Sequence, residues 1–222
     1  EDGLSLKPVL AQGIVPGRED LAELIKRHSA LAGVNGGYFH YSGRPLGLLY
    51  INGSLVSEPL KKRSALLIGE DNQLSLARVD WEGEVLIESG SHKIKLDGVN
   101  RELNQDEIIL FNHHYGSRMP ALSAEQYDIV VRDHQILGLE SEAGVQTPIP
   151  PDGFILRASG SRTDTKIKIS KLEDKTVELN YNLSPKFEEN NILHAVGGGP
   201  RLLKDGEIAI NGREENFQND IL

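Results

Sequence analysis

The sequence predicts an α+β fold: a mixed, strand-rich, curved sheet with few helices. Three observations carry this. One segment alone shows clear helical periodicity, a long series of short apolar runs follows it, and turn-forming residues separate those runs. No repeat of fixed period and no low-complexity linker interrupts the pattern, so residues 1–222 read as one domain, with residues 64–180 as a candidate β-rich lobe.

The helical segment runs from Glu19 to Ser29. Leu21, Leu24, Ile25 and His28 fall on one face of a helix, at i, i+3, i+4 and i+7. Glu19 and Asp20 at its start, and Lys26, Arg27 and His28 at its end, complement the helix dipole. Leu31-Ala32-Gly33-Val34 is short and apolar and reads as a buried strand leading into Asn35-Gly36-Gly37.

The chain then reads as strands and turns. Leu48–Ile51 and Leu55-Val56 flank Asn52-Gly53, a hairpin signal. Further runs occupy Ala65–Ile68, Leu74–Val79, Val85–Glu88, Ile108–Phe111, Ile129–Val131 and Ile136–Leu139. Phe154–Ala158, Ile167–Ile169, Val177–Leu179 and Leu193–Val196 complete the series. Asp71-Asn72, Asp97-Gly98, Pro150-Pro151-Asp152-Gly153 and Asp205-Gly206 are the turn signals between them.

Composition narrows the function classes. With 38% hydrophobic and 26% charged residues, the chain is a folded globular type rather than a disordered one. A formal charge of −9 excludes a generic nucleic-acid surface, which needs clustered cations; an anionic ligand would require local positive potential. No apolar run approaches the roughly 20 residues of a transmembrane helix. Glu1-Asp2-Gly3 has neither the basic start nor the apolar core of a signal peptide, although a cleaved leader would leave the same beginning. The absence of cysteine excludes disulfides, thiolate metal sites and a cysteine nucleophile.

Four segments could carry chemistry. In Asn35-Gly36-Gly37 the glycines let a backbone approach a ligand closely, and the Asn amide both donates and accepts; a tight turn with Tyr38 and Phe39 packed in the core is the plainer reading. Gly197-Gly198-Gly199-Pro200-Arg201 could form an anion-accepting backbone nest beside a guanidinium, or a close backbone crossing within the sheet. It lacks the Gly-Lys-Ser/Thr of a nucleotide-binding loop. Phe111-Asn112-His113-His114-Tyr115-Gly116 reads as a sugar-contacting loop or a strand end. Adjacent histidines on a strand face opposite ways and do not share an ion. There is no Gly-x-Ser-x-Gly elbow, and acidic runs such as Glu188-Glu189 and Glu214-Glu215 read as solvated surface. A metal-dependent hydrolase built on His40, His113 and His194 is a third-ranked alternative, without metal-ligand spacing behind it.

At these residues the chain resembles the phosphodiester glycosidases, a family that includes the uncovering enzyme, an N-acetylglucosamine-phosphodiester α-N-acetylglucosaminidase, and bacterial exopolysaccharide-associated proteins. The resemblance begins at Ala32-Gly33-Val34-Asn35-Gly36-Gly37-Tyr38-Phe39 and continues through Pro45-Leu46-Gly47, Ile51-Asn52-Gly53 and Arg63-Ser64-Ala65. It includes the Phe111–Gly116 loop, Ile149-Pro150-Pro151-Asp152-Gly153-Phe154-Ile155-Leu156, and Ala195-Val196-Gly197-Gly198-Gly199-Pro200-Arg201-Leu202-Leu203. The ordered set is more specific than either glycine motif alone. One departure stands out: the family continues into an Arg-Thr-Ala segment and an Asp-Gly-Gly-Gly-Ser type motif, whereas this sequence stops at Asp220-Ile221-Leu222. The resemblance is therefore to the N-terminal portion of the family domain, with the C-terminal segment an expected partner and the isolated chain expected to be inactive without it.

The resemblance implies a hydrolase that releases a sugar from a sugar-phosphodiester on cell-surface or extracellular polysaccharide. It implies an extracellular or cell-envelope location, and no metal or cofactor is invoked. Asn35 and the Gly36 and Gly37 amides are expected on sugar or phosphate oxygens, and Arg201 with the Gly197, Gly198 and Gly199 amides on phosphate. Arg63 and His113 are further candidates for the same cleft. No catalytic carboxylate is assigned. The alternative is a non-catalytic carbohydrate-binding or envelope-structural domain of the same fold.

Overall fold

A computed structural model describes residues 3–60, 63–160, 173–215 and 217. The expected strand at Ile167–Ile169 lies outside the described residues. The chain forms two compact units, one from Glu1–Trp81 with Leu183–Leu222 and the other from Glu82–Asn182.

In the first unit the helix α1 spans Leu21–Arg27. Asp20 caps it, its side chain accepting from the Ala22 N–H at 2.8 Å, which satisfies a donor that the first turn leaves free. Glu19 and Arg27 clasp it with an ion pair of 2.6 Å. The predicted face holds in part: Leu21, Leu24 and Ile25 are half-buried, and His28 is exposed.

The segment after α1 departs from the expected buried strand. Leu31 is 88% and Val34 84% exposed, and no strand forms there. Apolar character fixed neither burial nor pairing, because nothing among the described residues bonds to the backbone between Leu31 and Gly37. Gly33 lies against Ile25 of α1, where a Cβ would come within 2.8 Å of that side chain.

The sheet of this unit contains β1 (Leu49–Ile51), β2 (Ser54–Ser57), β3 (Ser64–Gly69), β4 (Leu74–Arg78) and β13 (Ile192–Gly197), in the order β2-β1-β13-β3-β4. All of its neighbouring strands run antiparallel. β1 and β2 are the predicted hairpin. Asn52 and Gly53 both have positive φ (49° and 76°), as a two-residue turn matched to strand twist requires. Val15, Leu49 and Val56 form a core cluster, and Tyr50 meets Phe187 edge-on at 5.0 Å. A small hairpin, β14 (Leu203–Lys204) with β15 (Glu207–Ile208), turns at the predicted Asp205-Gly206.

The second unit holds β5 (Asp80–Ile87, entering from the first unit), β6 (His92–Leu96), β7 (Gly98–Val99), β8 (Ile108–Phe111), β9 (Gln126–Arg132), β10 (Gln135–Glu140), β11 (Gly153–Ser159) and β12 (Val177–Ser184, leaving toward the first unit). One sheet runs β10-β9-β11-β8-β7 and another β12-β5-β6. β7 and β8 are parallel, whereas β9 with β10, β11 with both β8 and β9, and β5 with β6 are antiparallel. All four β8 residues are buried, which explains why that segment reads as a continuous apolar run rather than an alternating one. Ile109, Phe111, Met119, Ile149 and Ile155 form the core cluster. Asp97-Gly98 is not the expected turn: Gly98 pairs with Ile109, and the Asp97 carboxylate accepts from the Ile108 N–H at 2.8 Å.

The architecture is thus α+β and strand-rich, with mainly antiparallel sheets and one α-helix among the described residues. None of the described helices is long and apolar enough to cross a membrane.

Candidate functional site

Strand order gathers the first unit's motifs. β13 lies between β1 and β3, antiparallel to both, with Leu49 opposite Val196 and Gly197 opposite Ala65. The end of β13 therefore meets the beginnings of β1 and β3. Gly197 and Gly198 leave one strand where Gly47-Leu48 and Arg63-Ser64 enter the others. These residues line a shallow, partly open hollow of about 10 Å³, the room of about one water, together with Leu46, Pro59, Leu60, Ala65 and Val79.

The Asn35-Gly36-Gly37 segment packs on the same strand end. A Cβ on Gly36 would touch Val196 at 3.4 Å, and one on Gly37 would sit 2.2 Å from the Gly197 carbonyl oxygen, nearer than any real Cβ contact. Gly37 is there because the two backbones meet without room for a side chain. Asn35 and Gly36 are exposed and Gly37 is half-buried, and no hydrogen bond involves Asn35, Gly36 or Gly37 among the described residues. Their N–H groups and the Asn35 amide are donors left for solvent or a ligand.

The glycine run behaves differently from the expected nest. The Gly197 N–H donates to the Leu48 carbonyl at 2.6 Å, and the Gly198 N–H to that of Ser64 at 2.9 Å. Both amides are committed to the backbone crossing, so neither is free to cradle an anion. Gly199 has a positive φ of 113°, and a Cβ on it would lie 2.7 Å from a Glu215 carboxylate oxygen. A Cβ on Gly198 would meet nothing within 4 Å, so the run offers bare surface there, while the Gly199 N–H forms no hydrogen bond among the described residues.

Arg63 is the cation of this site. Its guanidinium carbon stands 4.0 Å from the centroid of the Phe217 ring and 5.8 Å from that of Tyr38, and the two rings are 5.9 Å apart. Tyr38 in turn donates its hydroxyl to the Gly199 carbonyl at 3.1 Å. The Arg63 Nε is buried without a hydrogen-bond partner, and no carboxylate among the described residues forms an ion pair with this side chain. Arg78, by contrast, is engaged by Glu214 at 2.7 Å.

Arg201 joins the cluster through its backbone. Its N–H donates to Glu215 Oε1 at 2.7 Å, while its side-chain Nε turns to the Leu203 carbonyl at 3.1 Å. Glu215, expected on a solvated surface, is 1% exposed, whereas the side chain of its neighbour Glu214 is 57% exposed. Its other oxygen accepts from the Ser64 N–H at 2.9 Å. Burial pushes the Glu215 carboxyl up, but the Arg201 and Ser64 hydrogen bonds and the Arg78 charge outweigh it and hold the group below its ordinary value. Glu215 and Phe217 escaped sequence reasoning because nothing in an acidic run distinguishes a carboxylate that backbone N–H groups will bury.

The described residues do not bring His40, His113 and His194 together as a ligand set. Among the described residues no group of three or more His, Cys, Asp or Glu side chains is placed to hold an ion. His194 is buried on β13, and its Nδ1 accepts from the Asn52 N–H at 3.1 Å, so the neutral ring carries its proton on Nε2. Burial, then the charge of Lys7, lowers its pKa. His40 Nδ1 meets the Ser42 hydroxyl at 3.1 Å.

His113 belongs to the second unit. Instead of ending a strand, it opens a short 3-10 turn, His113–Tyr115, capped by the Asn112 side chain, which accepts from the His114 N–H at 3.1 Å. Buried Asn100 fastens this cap, donating to the same Asn112 oxygen at 2.8 Å. The turn brings the His113 and His114 rings to 4.0 Å, where a strand would have separated them. Burial, and then the neighbouring His113, lower the His114 pKa to about 4, and its Nε2 is buried without a partner.

Two solved structures share this architecture. A hypothetical protein from Synechocystis superposes with a TM-score of 0.82 at 24% identity, over 98% of this chain and 41% of that one. A protein of Burkholderia pseudomallei K96243, whose name assigns it to export by inference, superposes with a TM-score of 0.71 at 19% identity, over 89% of this chain and 47% of that one. The chain spans less than half the length of either. No family model and no curated protein matches the sequence. At these identities the likeness establishes the fold alone.

Proposed function

We propose that the first unit carries the sugar-phosphodiester site of a phosphodiester-glycosidase-like domain acting on extracellular or envelope polysaccharide. The observation that carries this reading is Arg63: a guanidinium with no ion-pair partner among the described residues, stacked on Phe217 and bordering the hollow into which Gly197 and Gly198 open. An arginine held in this way recognises phosphate through its fork of donors. Asn35, Gly36 and Gly37 add uncommitted donors against the neighbouring strand end. The ordered motifs Asn35–Phe39, Arg63–Ala65 and Gly197–Arg201 add the family resemblance.

In this reading water cleaves the bond between the anomeric carbon and the phosphate oxygen, releasing the sugar and a phosphomonoester. Charge builds on the departing phosphate, where Arg63 and the Asn35–Gly37 donors stabilise it. An oxocarbenium-like sugar also calls for a carboxylate to activate water or attack. Glu215 does not suit that role, since it is buried and both of its oxygens accept backbone N–H groups. This one observation favours a second reading, in which the site binds the glycan phosphodiester without cleaving it.

Turnover of a methyl diester of N-acetylglucosamine 1-phosphate, together with calorimetry on the same compound, separates the two. Release of sugar and phosphomonoester supports the hydrolase, and binding without release supports the binding domain. Undiminished activity and affinity in folded Asn35→Ala and Arg63→Ala proteins would reject the assignment of these residues.

A further inference from the structure

Glu215 stands where a glutamate is costly. A carboxylate withdrawn from water loses several kcal/mol of solvation unless charge-assisted hydrogen bonds replace it. Among the described residues no cation forms an ion pair with it; backbone N–H groups replace the water, Ser64 at 2.9 Å and Arg201 at 2.7 Å. Joining two strand ends requires no charge, because ladder hydrogen bonds do it without desolvating one. What the carboxylate adds is placement. Ser64 directly follows Arg63, and its carbonyl receives the Gly198 N–H at 2.9 Å. One Glu215 oxygen lies 2.7 Å from the position a Gly199 Cβ would take. Phe217, two residues further on, supplies the ring 4.0 Å from the Arg63 guanidinium.

We infer that Glu215 is the positioning residue of this site: its carboxylate locks the Ser64 and Arg201 backbones so that Arg63 and the glycine run face one ligand. The inference rests on the reading of Arg63 as the anion-binding group. Glu215 touches no ligand itself and acts through the segments it holds.

The test follows the Ser64 and Arg201 amide signals and the Arg63 Nε–H signal by ¹H–¹⁵N NMR while the pH is lowered. Among the described residues, the segments that hold Glu215 carry Arg63, Arg78, Arg201, Arg213 and Glu214, and the charge of Arg78 acts on its carboxyl. A Glu214→Gln protein removes the adjacent carboxylate. The three signals are expected to move together, with a midpoint below the ordinary glutamate value of 4.5, in the natural and Glu214→Gln proteins. In Glu215→Gln that step disappears and the Arg63 signal leaves its ring-shielded position. Independent titration of the three signals, or an unmoved Arg63 signal in a folded Glu215→Gln protein, overturns the inference. The natural protein's titration decides the question even if the Gln variant fails to fold.

Calorimetry with the methyl diester of N-acetylglucosamine 1-phosphate tests the underlying reading separately. Affinity is expected to fall about tenfold in Glu215→Gln, the scale of a hydrogen bond to a charged group. No binding by the natural protein would defeat the anion-site reading, while the spectra still decide whether Glu215 sets the Arg63 position.

Discussion

Glycines of the same motif serve different ends, and their substitutions should separate. A methyl at Gly37 would lie 2.2 Å from a carbonyl oxygen, whereas one at Gly198 meets open space. Gly37→Ala is therefore expected to destabilise the protein by about 1–3 kcal/mol, the usual cost of forcing atoms into a packed site. Gly198→Ala should stay within about 0.5 kcal/mol, measured for both by urea unfolding. Equal effects would contradict the geometry. His114 gives a pH prediction. Its folded pKa of about 4 lies below its ordinary 6.5, so the unfolded chain takes up a proton that the folded chain refuses between those values. Stability is complete above about 6.5 and is lost as the pH falls toward about 4, by on the order of 1 kcal/mol after allowance for a half-exposed ring. His114→Gln should abolish that component of the pH-dependent unfolding curve. Asn35, the paired glycines and Arg63 were legible as residues because their types and order are unusual. Glu215 and Phe217 were not, because a carboxylate's burial depends on which N–H groups the fold brings to it.

At the scale of elements, the hairpin at Asn52-Gly53 and the buried runs Ile108–Phe111 and Phe154–Ala158 could be read directly, since turn chemistry and continuous apolar residues act locally. β6 was missed because His92, Lys93 and Lys95 break its apolar signal, and β7 because two residues carry no period. Leu31–Val34 fails in the opposite sense: it has a strand's composition and neither its burial nor its bonds. Leu31→Ala and Val34→Ala should each change the free energy of unfolding by less than about 0.5 kcal/mol, as exposed positions do. Truncation of residues in a buried strand would cost about 2–5 kcal/mol, and a loss of that size would restore the strand reading.

At the scale of the molecule, alternation of apolar runs with turns was enough for the α+β, strand-rich class, because sheet formation needs only a buried face and defined turns. Strand order was not legible. That β13 inserts between β1 and β3 follows from long-range pairing, which no local pattern encodes, and this insertion brings Gly37, Arg63 and the glycine run to one place. The division at Trp81 and Leu183 likewise follows from contacts rather than from a linker composition.

Whether this junction handles a sugar-phosphodiester is decided by turnover and calorimetric binding of the methyl diester of N-acetylglucosamine 1-phosphate, compared between the natural and Arg63→Ala proteins. Saturable binding is expected, with release of sugar and phosphomonoester if the hydrolase reading holds. Arg63→Ala should lose about ten- to a hundredfold in affinity or kcat/KM at unchanged fold, the scale of charge-assisted contacts to phosphate. A natural protein that neither binds nor cleaves the diester, or a folded Arg63→Ala protein that handles it equally well, would contradict the proposal.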